Sequence, residues 1–290
     1  METRWLYRTS ENLAELREEA KGVCVIPIGC VEKHGLHLPL GQDIIQAGHI
    51  AWQASQLEPV CVFADFSFGD IQGKKEYMPL GSVIMPVELE MQLLEVLCDN
   101  ISNSGFKKII LFNGHGGNKP WLSTFMRSIK SKDKDYALMM VNIELSAPHR
   151  MAKLIEKEGR ECVPEMTDED IELVLKYHKE GMLIGHGGFG ETSYMMAISP
   201  ESVCMDRLGI ETGKDNHKTD YLMAAGVQLV DAGWAINFPN AFTGDDPIGC
   251  NERIGAAALR LEVERVAKAF KVVKEDENIL GWMVKDAKKL

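Results

Sequence analysis

Two short apolar runs constrain this chain most, because each stops abruptly and turns into ionisable residues. Lys108-Ile109-Ile110-Leu111-Phe112 is the clearest strand in the sequence, and it runs directly into Asn113-Gly114-His115-Gly116-Gly117-Asn118. Val23-Cys24-Val25-Ile26-Pro27-Ile28 is the second run; Gly29 ends it, and Glu32, His34, His37 and Asp43 follow within a few residues. Further strands are expected at Pro59–Ala64 and Tyr136–Ile143. Helical spacing of apolar residues is read over 10–21, Asp43–Leu57, Val87–Asn103 and about 119–131. Strands alternating with helices predict a largely parallel sheet with both faces covered, an α/β chain built as a three-layer α/β/α sandwich.

Later segments keep less strictly to that rhythm. Residues 65–82 form a long glycine-containing loop of the kind that serves function. Residues 156–181 are acidic, and Thr167 and Asp170 stand at capping-box spacing before a helix through Lys179. That stretch reads as an inserted lid or interface segment. A short helix ended by Pro200, one near 216–231 and a long last one from Glu252 to Lys274 are expected to follow. Without repeats, low-complexity tracts or an evident linker, residues 1–290 are expected to form one domain.

Glu32 and His34 are two residues apart, so in extended backbone their side chains leave on one side. Asp43 opens a helix after a glycine-rich turn. His115 ends the clearest strand, and Glu191 follows the glycine-rich His186-Gly187-Gly188-Phe189-Gly190. Ligands in open α/β sheets collect beyond the carboxyl ends of strands. Three carboxylates and two imidazoles from four loops are more than one open metal position needs, and they suit two divalent ions. Oxygen and imidazole donors without sulfur point to Zn, Mn or Fe. Alternative roles are surface solvation for a lone carboxylate and helix N-terminal capping for Glu191. His37 is read as a group orienting a ligand, and Asn113 and Asn118 as caps of the strand-to-helix turn. Cys30, near the cluster in sequence, is read as packing behind it, with a thiolate ligand as the alternative.

Composition narrows the partners. With 32 basic against 43 acidic residues the net charge is -11, which disfavours nucleic acid and anionic membranes. Seven cysteines without a CxxC pair read as free thiols of a cytoplasmic protein. The charged N-terminal stretch lacks the apolar segment of a signal peptide.

The strings IPIGCVEKHGLHLPLGQD, FNGHGGN and HGGFGETSYMMAISPE resemble, in order and spacing, the three motifs of the creatininase (creatinine amidohydrolase) family, and GDDPIG at 244–249 resembles its late GDP segment. The resemblance implies an α/β sandwich with a two-metal site and usually a homohexamer. By position it places Glu32, His34, Asp43, His115 and Glu191 as metal ligands, Asp43 as the bridge, and His186 beside the substrate. Where creatininases proper have a glutamate ligand two residues after the histidine of NGH, this chain has Gly117, which puts it in an NGHGGN branch with Glu191 as the compensating ligand. Lys33 stands for the usual Gln, and Tyr77 stands where many members have a His. Both changes bear on the substrate more than on the metal chemistry.

The expected function is a metal-dependent amidohydrolase that cleaves a C–N bond of a small cyclic amide or formamide-type substrate through a metal-bridging hydroxide, with His186 and Glu191 as the catalytic groups. Two alternatives stay open: ring-opening or C–C cleavage of an oxidised sugar or cyclitol at the same site, and a metal-binding relative without catalysis.

Overall fold

The computed structural model describes residues 1–71, 79–144, 148–182, 185–229 and 232–285. In chain order the main elements are α1 (Ser10–Glu19), β1 (Val23–Ile28), α2 (Gln42–Leu57), β2 (Cys61–Val62), α3 (Val87–Asn103), β3 (Lys108–Asn113), α4 (Asn118–Ile129) and β4 (Ala137–Asn142). Then come α5 (His149–Glu158), α6 (Asp168–Glu180), α7 (Phe189–Ile198), α8 (Asp220–Ala224), α9 (Ala232–Asn237) and α10 (Glu252–Glu275). The four strands form one sheet in the order β2-β1-β3-β4, with every pair parallel. This is the α/β layering that the alternation of strand and helix predicts.

Both faces of the sheet are buried, which is why its strands carry no polar alternation. Val23 and Val25 of β1 and Ile110 and Phe112 of β3 face a core built with α2, α5, α6, α7 and α10. Cys24, Ile26, Ile28, Ile109 and Leu111 face the opposite core, closed by α1, α3 and α4. From β1 the chain goes first to β2 on one side, and β3 then pairs on the other side of β1. The order therefore reverses between β1 and β3, where crevices open in such sheets. Ile28 is the register partner of Asn113, so the loops leaving the two strands start side by side.

The 156–181 stretch is integral to the first of these cores. Val163, Met166, Ile171 and Val174 are all buried in it. Thr167 caps α6 as the capping-box spacing predicts: its Oγ1 accepts from the Asp170 amide, and the Asp170 carboxylate accepts from the Thr167 amide. The same carboxylate, 4% exposed, accepts from Asn251 Nδ2 at 2.8 Å and from the Arg253 guanidinium at 2.6 and 2.9 Å. It thus ties the start of α6 to the start of α10. Asp170→Ala is expected to lower stability by about 2–3 kcal/mol, from a lost cap and an unpaired guanidinium that is half open to water. Burial opposes the charge on Asp170, but Arg253, the Thr167 amide and Asn251 outweigh it and hold the pKa at about 2, below its ordinary 3.8. This stabilisation is complete above about pH 4 and is lost as pH falls through 2. Denaturant titrations of both proteins should therefore converge in acid.

The helix expected over 216–231 is a correction. Among the described residues there, only Asp220–Ala224 is helical, because His217 adopts a positive φ before it and Gly226, at φ 75°, stops it. No helix among the described residues is long and apolar enough to cross a membrane.

Candidate functional site

The site forms where the loops after β1 and β3 meet the first turns of α2 and α7. Gly29 allows the first junction: a Cβ there would lie 2.5 Å from the main-chain nitrogen of Ile44. Only a residue without a side chain lets α2 come that close to the end of β1, and this approach sets Asp43 beside Glu32. The intervening loop closes on itself, with the Glu32 amide donating to the Leu40 carbonyl. Beyond β3, Asn113 clamps the turn. Its side chain accepts from the His115 amide and donates to the His115 carbonyl and to Asn142. Glu191 projects from the first turn of α7, and its Oε2 accepts from the Gly187 amide at 2.7 Å.

Glu32, His34, Asp43 and His115 are all buried. Asp43 divides its two oxygens. Oδ1 is 3.4 Å from His34 Nε2, and Oδ2 is 2.8 Å from His115 Nδ1. Glu32 Oε1 lies 3.2 Å from the same His115 nitrogen, and Glu191 Oε2 lies 3.8 Å from the same His34 nitrogen. Two donor groups therefore share Asp43, with Cys30, Glu32, Asp43 and His115 on one side and His34, Asp43 and Glu191 on the other, and Glu32, His34 and His186 converge as a third. His186 stacks on His34 with ring centroids 3.8 Å apart, its Nδ1 3.6 Å from Glu32 Oε1.

Each of the three imidazoles spends its far nitrogen on a main-chain carbonyl. His34 Nδ1 donates to Glu32 O at 3.2 Å, His115 Nε2 to Asp70 O at 2.9 Å, and His186 Nε2 to Lys33 O at 2.6 Å. Such a bond orients the ring and turns the other nitrogen inward, toward carboxylates. Bare nitrogens facing carboxylate oxygens repel unless a proton or a cation lies between them. Consistent with this, His34 Nε2 and Glu32 Oε1 are buried without a hydrogen-bond partner.

Protonation follows from the same geometry. Burial works against a charged His34, but Asp43, Glu191 and Glu32 outweigh it and hold its pKa at about 9. His115 is held at about 10, with Asp43 and Glu32 overcoming burial. Burial would raise Asp43, yet the two imidazoles pull it well below the carboxylate range. Glu32 goes up, chiefly from burial. Glu191 sits deep in the cleft with about a quarter of its side chain open (29%), and burial followed by the charge of Asp43 brings it to about 7. Burial, then the charge of His34, pushes His186 well below its ordinary value, so it is neutral.

The remaining expected residues fall around this cluster. His37 donates to Gly187 O or Thr192 Oγ1 and so braces the turn that carries Glu191. Lys33 turns away, its Nζ 2.6 Å from Glu211 Oε2, and contributes its carbonyl to His186. Asn118 does not cap α4: its Oδ1 accepts from the Asp70 amide and Trp121 Nε1. Gly117 has a steric reason. A Cβ there would fall 2.5 Å from both His115 Nε2 and the Asp70 carbonyl, so the Asp70 backbone fills the room a side chain at 117 would need. Tyr77 lies outside the described residues. Sequence reasoning missed the Asp70 carbonyl and Trp234, which meets His186 edge-on at 5.1 Å. Asp70 lies in the 65–82 loop already singled out, though nothing local marks its carbonyl, and Trp234 comes from α9, far along the chain.

Comparison with known proteins places this arrangement among relatives. The family described as Creatininase: Creatinine amidohydrolase matches residues 7–270. The 3-dehydro-scyllo-inosose hydrolase of Thermotoga maritima is 31% identical over 114 residues, 38% of this chain and 36% of its own length, so the match spans about a third of that relative. The creatinine amidohydrolase of Pseudomonas putida is 23% identical over 198 residues, 65% of this chain and 70% of its own. A solved structure named Creatininase Mn superposes with a TM-score of 0.70 at 16% identity over 95% of this chain and 100% of its own, a likeness of fold.

Proposed function

This chain belongs to the creatininase family, and from that premise we propose that it is a metal-dependent amidohydrolase that cleaves a C–N bond of a small cyclic amide or formamide-type substrate. The observation that carries the reading is the inward-facing set of imidazole nitrogens and carboxylate oxygens, with His34 Nε2 and Glu32 Oε1 buried and without a hydrogen-bond partner. Glu32, Asp43 and His115 would hold one divalent ion and His34, Asp43 and Glu191 a second, of the Zn, Mn or Fe type. Such ions, when bound, polarise a carbonyl and lower the pKa of water toward about 7.

The rest of the work falls to the chain. His186 is neutral, and its outer N–H is committed to Lys33 O, so its inner nitrogen is free to take a proton and return it to the departing nitrogen. The Glu191 carboxylate is the other group placed to exchange that proton, beside the second ion it would help to hold. Trp234 and His34 flank His186 and restrict the faces from which a substrate reaches it.

A panel of cyclic amides and formamides, assayed with metal-replete and chelator-stripped protein, tests this. Turnover of one of them only in the metal-replete form is expected; turnover unchanged by stripping would end the reading. The likeness to an inosose hydrolase supports a second reading, ring opening of an oxidised cyclitol, and diketo-cyclitols belong in the same panel. Elemental analysis with the panel separates catalysis from a purely metal-binding role.

Cation uptake should depend steeply on pH. His34 and His115, at about 9 and about 10 without metal, must each give up a proton to bind. Affinity for each cation therefore rises about tenfold per pH unit up to those values, and loading at pH 7 releases a proton from each imidazole. An indicator titration with Zn²⁺ measures this, and pH-independent uptake between 6 and 8 contradicts it.

For assembly, the outer faces of Tyr221, Met223, Val227 and Leu229 are exposed, which supports a homo-oligomer, the hexamer of the resemblance; light scattering reads its mass. The shared cores support one domain over 1–290.

A further inference from the structure

We propose that Cys30 is a positioning residue whose thiol donates to Oδ2 of Asp43 and fixes how that carboxylate divides its oxygens between the two cation positions. The inference rests on the two-cation reading above and adds to it a residue outside both proposed ligand sets. Cys30 is fully buried, and its Sγ lies 3.0 Å from Asp43 Oδ2. A carboxylate turns easily about its last bond, and a bridge works only if each oxygen keeps to its own side. Oδ1 faces His34 and Oδ2 faces His115, both of them nitrogens that a cation would claim. The thiol is the neutral donor among the partners of Oδ2, so it holds that oxygen with or without a cation. A thiolate so near a carboxylate oxygen would be repelled by it, so the contact calls for S–H rather than S⁻. Glu32 Oε1, unpartnered and buried, belongs with Cys30, Asp43 and His115 in one group of donor atoms, so the thiol sits at the edge of a site poised for a ligand.

Sulfur behind a pocket usually reads as packing, and a cysteine beside metal ligands as a further ligand. A hydrogen-bond role differs from both in what rescues it. Cys30→Ala and Cys30→Ser are compared with the parent protein by calorimetric titration with Mn²⁺ and Zn²⁺, by melting of the metal-free proteins, and by the optical spectrum of the Co²⁺-loaded parent.

Cys30→Ala is expected to weaken cation binding about 10- to 100-fold, the usual effect of losing a group that orients a ligand. Cys30→Ser, which keeps an O–H donor, is expected to recover most of that loss, while the metal-free melting points of the two variants stay close together. Alanine binding as tightly as the parent would reduce Cys30 to packing. Serine as weak as alanine, together with a strong sulfur-to-cobalt charge-transfer band in the parent, would make sulfur a ligand and overturn the proposal. A parent protein that takes up no cation would sink the two-cation reading and this inference with it, whereas equal binding by all three proteins sinks the inference alone.

Discussion

Replacing Asp43 with asparagine is expected to empty both cation positions together and to lower hydrolysis by about three orders of magnitude or more. That corresponds to losing several kcal/mol of charge stabilisation at the reacting carbonyl. The reason is geometric. Asp43 is the one side chain common to both donor sets, with Oδ1 toward His34 and Oδ2 toward His115. Asparagine keeps the size but offers one acceptor oxygen and an NH₂ group that repels any cation on its side. Two imidazoles that depend on the Asp43 charge for their raised pKa would also shed protons at lower pH. Elemental analysis and turnover of the variant measure the two effects together. Loss of one ion per chain with the other retained would show that Asp43 does not bridge, and full activity after chelation would remove metals from the mechanism.

His186→Gln separates proton transfer from metal holding. Its expected effect is a fall in kcat of about 10²- to 10⁴-fold, the range for a general acid–base group, with metal content near that of the parent and KM little changed. Glutamine can still donate toward the Lys33 carbonyl, where His186 Nε2 now donates at 2.6 Å, but it has no nitrogen that can take up a proton. The acid limb of the pH–rate profile should therefore change shape as well as height. A variant that loses metal in step with activity would make His186 a ligand, consistent with its 3.6 Å approach to Glu32 Oε1. Unchanged kcat would assign the proton to Glu191 instead.

Part of this protein was legible from the order of residues. Apolar runs such as Val23–Ile28 and Lys108–Phe112 announce buried parallel strands because no position in them can face water. Thr167 and Asp170 announce the start of α6 because a cap is a contact between residues three apart. Glu32, His34, Asp43, His115 and Glu191 could be gathered from their strand-end placement and motif context. Where local signals conflict the reading failed: the apolar pattern over 216–231 was interrupted by His217 at positive φ and by Gly226.

The chain by itself determined the layers of the fold and the chemical types available at the strand ends, because both follow from short-range periodicity and from which residues end each strand. Only the folded structure decided which imidazole nitrogen faces inward, how Asp43 divides its oxygens, that Asp70 backbone takes the room beside Gly117, and that the Cys30 thiol meets Asp43 Oδ2. Several of those facts are distances between residues tens of positions apart. They are set by how α2 and the loops pack against β1 and β3, and no local pattern encodes that packing.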